Sequence, residues 1–343
     1  MSMLGTPKYA IAFQPSVATA PAAEMSSIQV AQLTRDLDHS QAVAAYRSSL
    51  NGTAPDPAVE ALFFKAAEHM LNLDTEFAKT DAAIQAVVAG GCKDPLVLAF
   101  QCLHIRVVKK EDRPKLEAAY AALKESKYSP QWKMWIAFEI AKHAATHKDE
   151  PGSIEWAKVA AGHAAEFLTD PARHEATRGM QALRVFGFAT GKYVSILSID
   201  AFFNTFRDLK VQDEWLNLYA EGFYEKNLAW RMRGTDTADK ISRNAWDAFH
   251  KHMGLAAAAL VKAHALKPDR PEAALEMLNI TLASNENRGK GPRHWFEEAT
   301  RPRPDFMMAY SSYMTSLLPK WGGRFEAVLD LGLEAAAKKR YDT

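Results

Sequence analysis

The sequence predicts an all-α chain assembled as an array of helical hairpins. Three observations carry that expectation. The 343 residues include 59 alanines, the residue with the highest helix propensity and one small enough for close helix crossings. No segment alternates apolar and polar residues for long, and no Asn-Gly or Asp-Gly turn joins Val/Ile/Thr-rich runs, so strand signals are absent. Helix punctuation recurs instead. Asp56-Pro57, Asp94-Pro95, Asp170-Pro171 and Arg270-Pro271 each place Pro at a first helical position, three of them behind an Asp able to cap the free amides.

In chain order, residues 1–25 read as an extended or disordered arm, with Pro7, Pro15 and Pro21 set among Ala, Ser and Thr. Helices are expected over 27–49, 57–73, 75–90, 94–108, 112–125, 129–147, 151–168, 171–187, 198–208, 212–233, 239–266, 270–285, 292–300, 303–318 and 321–341. The first stands alone. The others pair into hairpins beginning near 57, 94, 129, 171, 212, 270 and 303, with steps of 33–42 residues and one of 58. A tetratricopeptide unit is a two-helix repeat of ~34 residues, so the shorter steps suit a degenerate repeat array, or α-solenoid. The alternative is an irregular helical bundle. The chain divides into the arm 1–25, N-terminal hairpins over 26–211, and a C-terminal region 212–343 that carries the most specific motifs.

Within that last region, Trp215, Leu218, Tyr219, Gly222, Ala229 and Trp230 fall on one face of helix 212–233, where Gly222 and Ala229 leave room for a neighbouring helix. Arg233 lands near Trp230, where a guanidinium can stack on indole. Trp246, Phe249, Met253 and Leu260 recur at helical spacing and predict a buried stripe. Pro319-Lys320-Trp321-Gly322-Gly323 ends one helix and opens the next. Its glycines predict positive backbone dihedrals or a close approach, with Trp321 as the anchor of the turn.

These elements are similar to a bacterial tetratricopeptide-like family of unknown function. The resemblance rests on Trp230-Arg231-Met232-Arg233-Gly234, Trp246, Phe249, Pro268, Trp295-Phe296, Ala309-Tyr310, Tyr313 and Leu318-Pro319-Lys320-Trp321-Gly322-Gly323, and covers roughly residues 212–341. Arg324 stands where that family places Ser. The resemblance implies a fold and hardly any function.

Composition narrows the function classes. Lys and Arg total 42 against 41 Asp and Glu, so the excess of cations that phosphate binding needs is missing and nucleic acid is not expected. No apolar run approaches the length of a membrane span, so no membrane insertion is expected. The apolar core of the N-terminus, Tyr9 to Phe13, is too short for a signal peptide. A cytoplasmic setting is slightly favoured over the soluble region of an exported or anchored protein. Cys92 and Cys102 read as core residues rather than a redox pair.

Glu139, His143 and His147 share one helix face at steps of four and are the weak candidates for a metal. Residue 144 is Ala, so the His-Glu-x-x-His pattern is missing and a self-satisfying polar cluster is the plainer reading. No cofactor motif is present. The expectation is therefore a non-enzymatic scaffold for a protein or peptide partner, with Tyr219, Lys226, Asn227, Trp230, Arg233 and Trp295 on its groove, and Gly234, Trp246, Pro319, Trp321, Gly322 and Gly323 as structural motif residues. The alternatives are an enzyme using the Glu/His cluster, and a structural subunit that docks through the arm.

Overall fold

A computed structural model describes residues 25–71, 77–104, 110–191, 194–284 and 288–337. The expected arm lies outside them except for Met25, which is buried against Val30 and Ala176. The described residues form α1 (Ser27–Ser49), α2 (Pro57–Met70), α3 (Phe77–Ala89), α4 (Pro95–His104), α5 (Arg113–Lys124), α6 (Pro130–Thr146), α7 (Glu150–Leu168), α8 (Glu175–Ala189), α9 (Ile196–Asp208), α10 (Glu214–Arg233), α11 (Arg243–Leu266), α12 (Glu272–Ala283), α13 (Pro292–Thr300), α14 (Met307–Leu317) and α15 (Phe325–Ala337). Among them there is no strand, so the all-α expectation holds.

The caps explain several starts. Asp56 accepts from the Ala58 amide at 2.8 Å and Asp94 from those of Leu96 and Val97 at 2.9 and 3.1 Å, satisfying donors that a helix leaves free at its first turn. Ser26 and Gln29 close a reciprocal capping box on α1. Asp170-Pro171 departs from expectation. Asp170 accepts from the Ala172 amide at 2.9 Å in a short turn, and α8 starts later, at Glu175, behind a His174 cap. That turn turns Arg173 inward. Its Nη2 donates to Asp38 Oδ1 at 2.8 Å and to Gln131 Oε1 at 3.1 Å, so the residue sits in a buried ion pair rather than in the first turn of α8.

Successive helices pack on one another, and helices two apart also meet: α2 with α4, α4 with α6, α7 with α9, α8 with α10, α10 with α12, and α12 with α14. One apolar core runs from Ala42 to Leu331 and crosses residues 211 and 212 without a break. Small residues make room where α10 crosses α11. A Cβ at Gly222 on α10 would stand 2.5 Å from Leu260 Cγ and 3.2 Å from the Ala256 carbonyl on α11, so the room expected there is used. Phe249, Met253 and Leu260 are buried, and Trp246 packs beside them half-buried.

α1 makes contacts that no nearest-neighbour stacking supplies. It packs on α8 as well as α2, and the Ser27 amide and hydroxyl donate to Asp305, just before α14, at 2.6 and 3.2 Å. The start of α1 is thereby tied to the segment that leads into α14. No helix of the described residues is long and apolar enough to cross a membrane.

Candidate interaction face

The residues expected on a groove separate into three groups. Tyr219 and Trp295 are buried and so are core residues, a correction to their expected place on an open surface. Tyr219 stacks on Trp215 at 4.8 Å between centroids, and Trp295 packs edge-on against His264 at 5.7 Å. Their faces are covered by α8 and α12 in one case and by α11 in the other. Lys226 and Asn227 are engaged within the fold. Lys226 pairs with the buried Glu276 of α12 and lies 4.6 Å above the Phe223 ring, while the Asn227 amide donates to the Phe223 carbonyl of its own helix at 2.8 Å.

Trp230 and Arg233 remain at the surface and come together as expected. The guanidinium carbon lies 5.7 Å from the Trp230 ring and 5.0 Å from Trp246, and Gly234 ends α10 at φ +78. Arg233→Gln should cost about 0.5–1 kcal/mol, the worth of an exposed cation–π contact. Chemical denaturation of the variant against the parent checks it.

The Glu/His cluster assembles no metal centre. Glu139 accepts from Lys142 at 2.7 Å, and His147 closes the end of α6 with its ring 4.4 Å from that of His143. Among the described residues no group of three His, Cys, Asp or Glu side chains is placed to hold a metal. Both thiols are free, and burial pushes that of Cys102 up to about 11, which leaves it unreactive at neutral pH. A concavity of about 480 Å³ at the starts of α8 and α10 is lined by Arg178, Lys267 and Arg270 together with Glu175 and Asp213. Arg270 already pairs with Glu175 and Asp213, so these charges answer one another.

Two histidines give the fold a pH dependence. Burial holds His163 and His264 below the ordinary value, with Glu166 and Glu298 offsetting part of that effect. A folded state that binds protons less readily than the unfolded chain gains stability as pH rises through the window ending near ~6.5. The His163 and His264 contributions should therefore fall as pH drops from 7 to 5, and a thermal melt series should show this as a smaller loss of Tm on acidification in His264→Gln than in the parent.

The surface that stands out is the last hairpin. The Pro319–Trp321 segment is a single 3-10 turn closed by the Trp321 amide on the Leu318 carbonyl at 2.9 Å. Gly322 follows at φ +86, a left-handed conformation that a β-carbon disfavours. At Gly323 a β-carbon would collide with the Leu317 backbone. Both properties expected of the Gly-Gly pair are present, one on each residue. Trp321 itself is not the anchor: it is 47% exposed, with Lys320 beside its ring. Gly323→Ala should cost about 1–3 kcal/mol, since only backbone can give way. Faster hydrogen exchange confined to α14 and α15 is the expected readout.

After this turn α15 buries Leu331 and leaves Phe325, Leu329 and Leu333 at 69%, 66% and 62% exposure. The three lie at steps of four, a single stripe along the helix. Gly332 opens beside them with nothing within reach of a β-carbon. Glu326 and Asp330 are exposed on the adjoining side. Met307 and Met308 are exposed at the start of α14, the helix on which α15 packs. The spacing of this stripe was readable in the sequence. Its exposure was not, because periodicity reports which residues share a face and says nothing of what covers it.

No known protein family, curated protein or solved structure matches this chain.

Proposed function

We propose that this protein is a non-enzymatic helical scaffold that binds a protein partner through the open face of α15. The carrying observation is the stripe Phe325, Leu329 and Leu333, three large apolar side chains each more than three-fifths exposed. Contiguous apolar surface of this kind costs free energy in water and marks an interaction site. The reading as a hairpin array belongs with it. Contacts between helices two apart support stacked hairpins. Trp230 and Arg233 form a second, smaller surface group.

The test is capture from a lysate of the source cell on immobilised protein, comparing the parent with a Phe325→Ser/Leu329→Ser/Leu333→Ser variant. Parent-specific partners lost by the variant, with Tm unchanged, are expected. Equal recovery by both would remove the reading.

A further inference from the structure

We infer that the apolar stripe of α15 is the docking site for the chain's own residues 9–13, so that the face just described is covered intramolecularly until a partner takes it. This rests on the reading of α15 as an interaction face and names its resident occupant.

The first observation is where the described chain begins. Ser27 is held by two hydrogen bonds to Asp305, at 2.6 and 3.2 Å, and Met25 is buried. The described residues therefore begin close to Asp305, two positions before the exposed Met307 that opens α14. Eleven residues, or twelve steps, separate Phe13 from Met25, enough to span up to about 40 Å at 3.3–3.6 Å a step. α15, with 13 residues, is only about 20 Å long at 1.5 Å per residue. The reach is ample.

The second observation is the match of pitch. Lys8-Tyr9-Ala10-Ile11-Ala12-Phe13-Gln14 lies between Pro7 and Pro15, which oppose a helix there and favour extended backbone. In an extended chain Tyr9, Ile11 and Phe13 would point to one side about 6.7 Å apart. Phe325, Leu329 and Leu333 are about 6 Å apart along α15, four residues at 1.5 Å. Three pegs meet three sites with little accumulated error.

The third observation is charge. The flank of the stripe carries Glu326 and Asp330, and Lys8 immediately precedes the apolar run. A second copy is the competing occupant, but two-fold antiparallel pairing of α15 with itself would set this acidic row against its own equivalent, which costs free energy. Tethering further favours the intramolecular contact, because a short flexible linker supplies an effective concentration in the millimolar range.

The experiment uses the full chain, a form beginning at Met25, and a fluorescent peptide of residues 5–16. The peptide should bind the shortened form and bind the full chain at least tenfold more weakly, since the tethered segment competes. Leu329→Asp, at a position 66% exposed and safe for folding, should abolish binding to the shortened form. Hydrogen exchange over 325–337 should be severalfold slower in the full chain than in the shortened one. Absence of peptide binding, or binding that survives Leu329→Asp, overturns the inference. So does a full chain whose mass doubles with concentration and returns to monomer on Leu329→Asp, which would make a second copy the occupant. Loss of this inference leaves the partner-binding reading standing if the triple Ser variant still loses its partner. Loss of that reading would show in capture and leave peptide binding untouched.

Discussion

Arg173→Leu should lower unfolding free energy by about 3–5 kcal/mol, the cost of leaving one charge of a buried pair unanswered. Arg173 and Asp38 are both buried, at 3% and 1% exposure. The guanidinium joins four elements: it donates to Asp38 of α1 and Gln131 of α6, stands in the turn before α8, and lies 4.0 Å above the Phe167 ring of α7. Without it the Asp38 carboxylate keeps only Gln131 and the Arg184 charge, and loses its direct ion pair. Burial already raises the Asp38 carboxyl above its ordinary value, against the pull of Arg173, so desolvation outweighs the attraction. The folded state consequently binds this proton more readily than the unfolded chain, and the Asp38 contribution falls as pH rises through the carboxylate range. Asp38→Asn should cost a comparable amount at neutral pH, because it leaves the buried Arg173 guanidinium with only Asp170 at 3.9 Å, and Asp38→Leu/Arg173→Met should recover most of the loss, because apolar replacement of both partners is often neutral. Urea midpoints for the four proteins decide it. A single Arg173 variant within 1 kcal/mol of the parent would show that water reaches the pair.

Gly222→Val should cost about 3 kcal/mol, the upper part of the range for overpacking a filled crossing. The new β-carbon would stand 2.5 Å from Leu260 Cγ, and the Ala256 carbonyl at 3.2 Å blocks retreat. Leu260 is fully buried, so it has no solvent to turn into, and α10 and α11 must separate along their shared length. Leu260→Ala in the same chain should restore part of the stability, giving a coupling energy in a double-mutant cycle. Additive losses would mean that the backbones, not the Leu260 side chain, set the separation.

These two sites divide what could be read in advance from what could not. Gly222 was legible: a glycine on the apolar face of a long helix has few other reasons to be there. So were the caps at Asp56 and Asp94, and the double glycine after Trp321. Arg173 was opaque, since an Arg two residues after an Asp-Pro pair looks like an ordinary first-turn residue. Its partner lies 135 positions away. Tyr219 and Trp295 failed in the opposite sense, as their aromatic rings suit a binding groove and a helix core equally.

The sequence alone determined the local structure: an all-helical chain, most helix starts, and which residues share each face. Those properties depend on backbone propensity, capping and a period of 3.6, all contained within one or two turns of chain. Only the tertiary structure decided which faces are covered. It buried Tyr219 and Trp295, paired Lys226 with Glu276, tied α1 to Asp305, and left Phe325, Leu329 and Leu333 in water. Burial belongs to pairs of elements distant in sequence, and a stripe of identical pattern is core or interface according to whether another helix arrives to cover it.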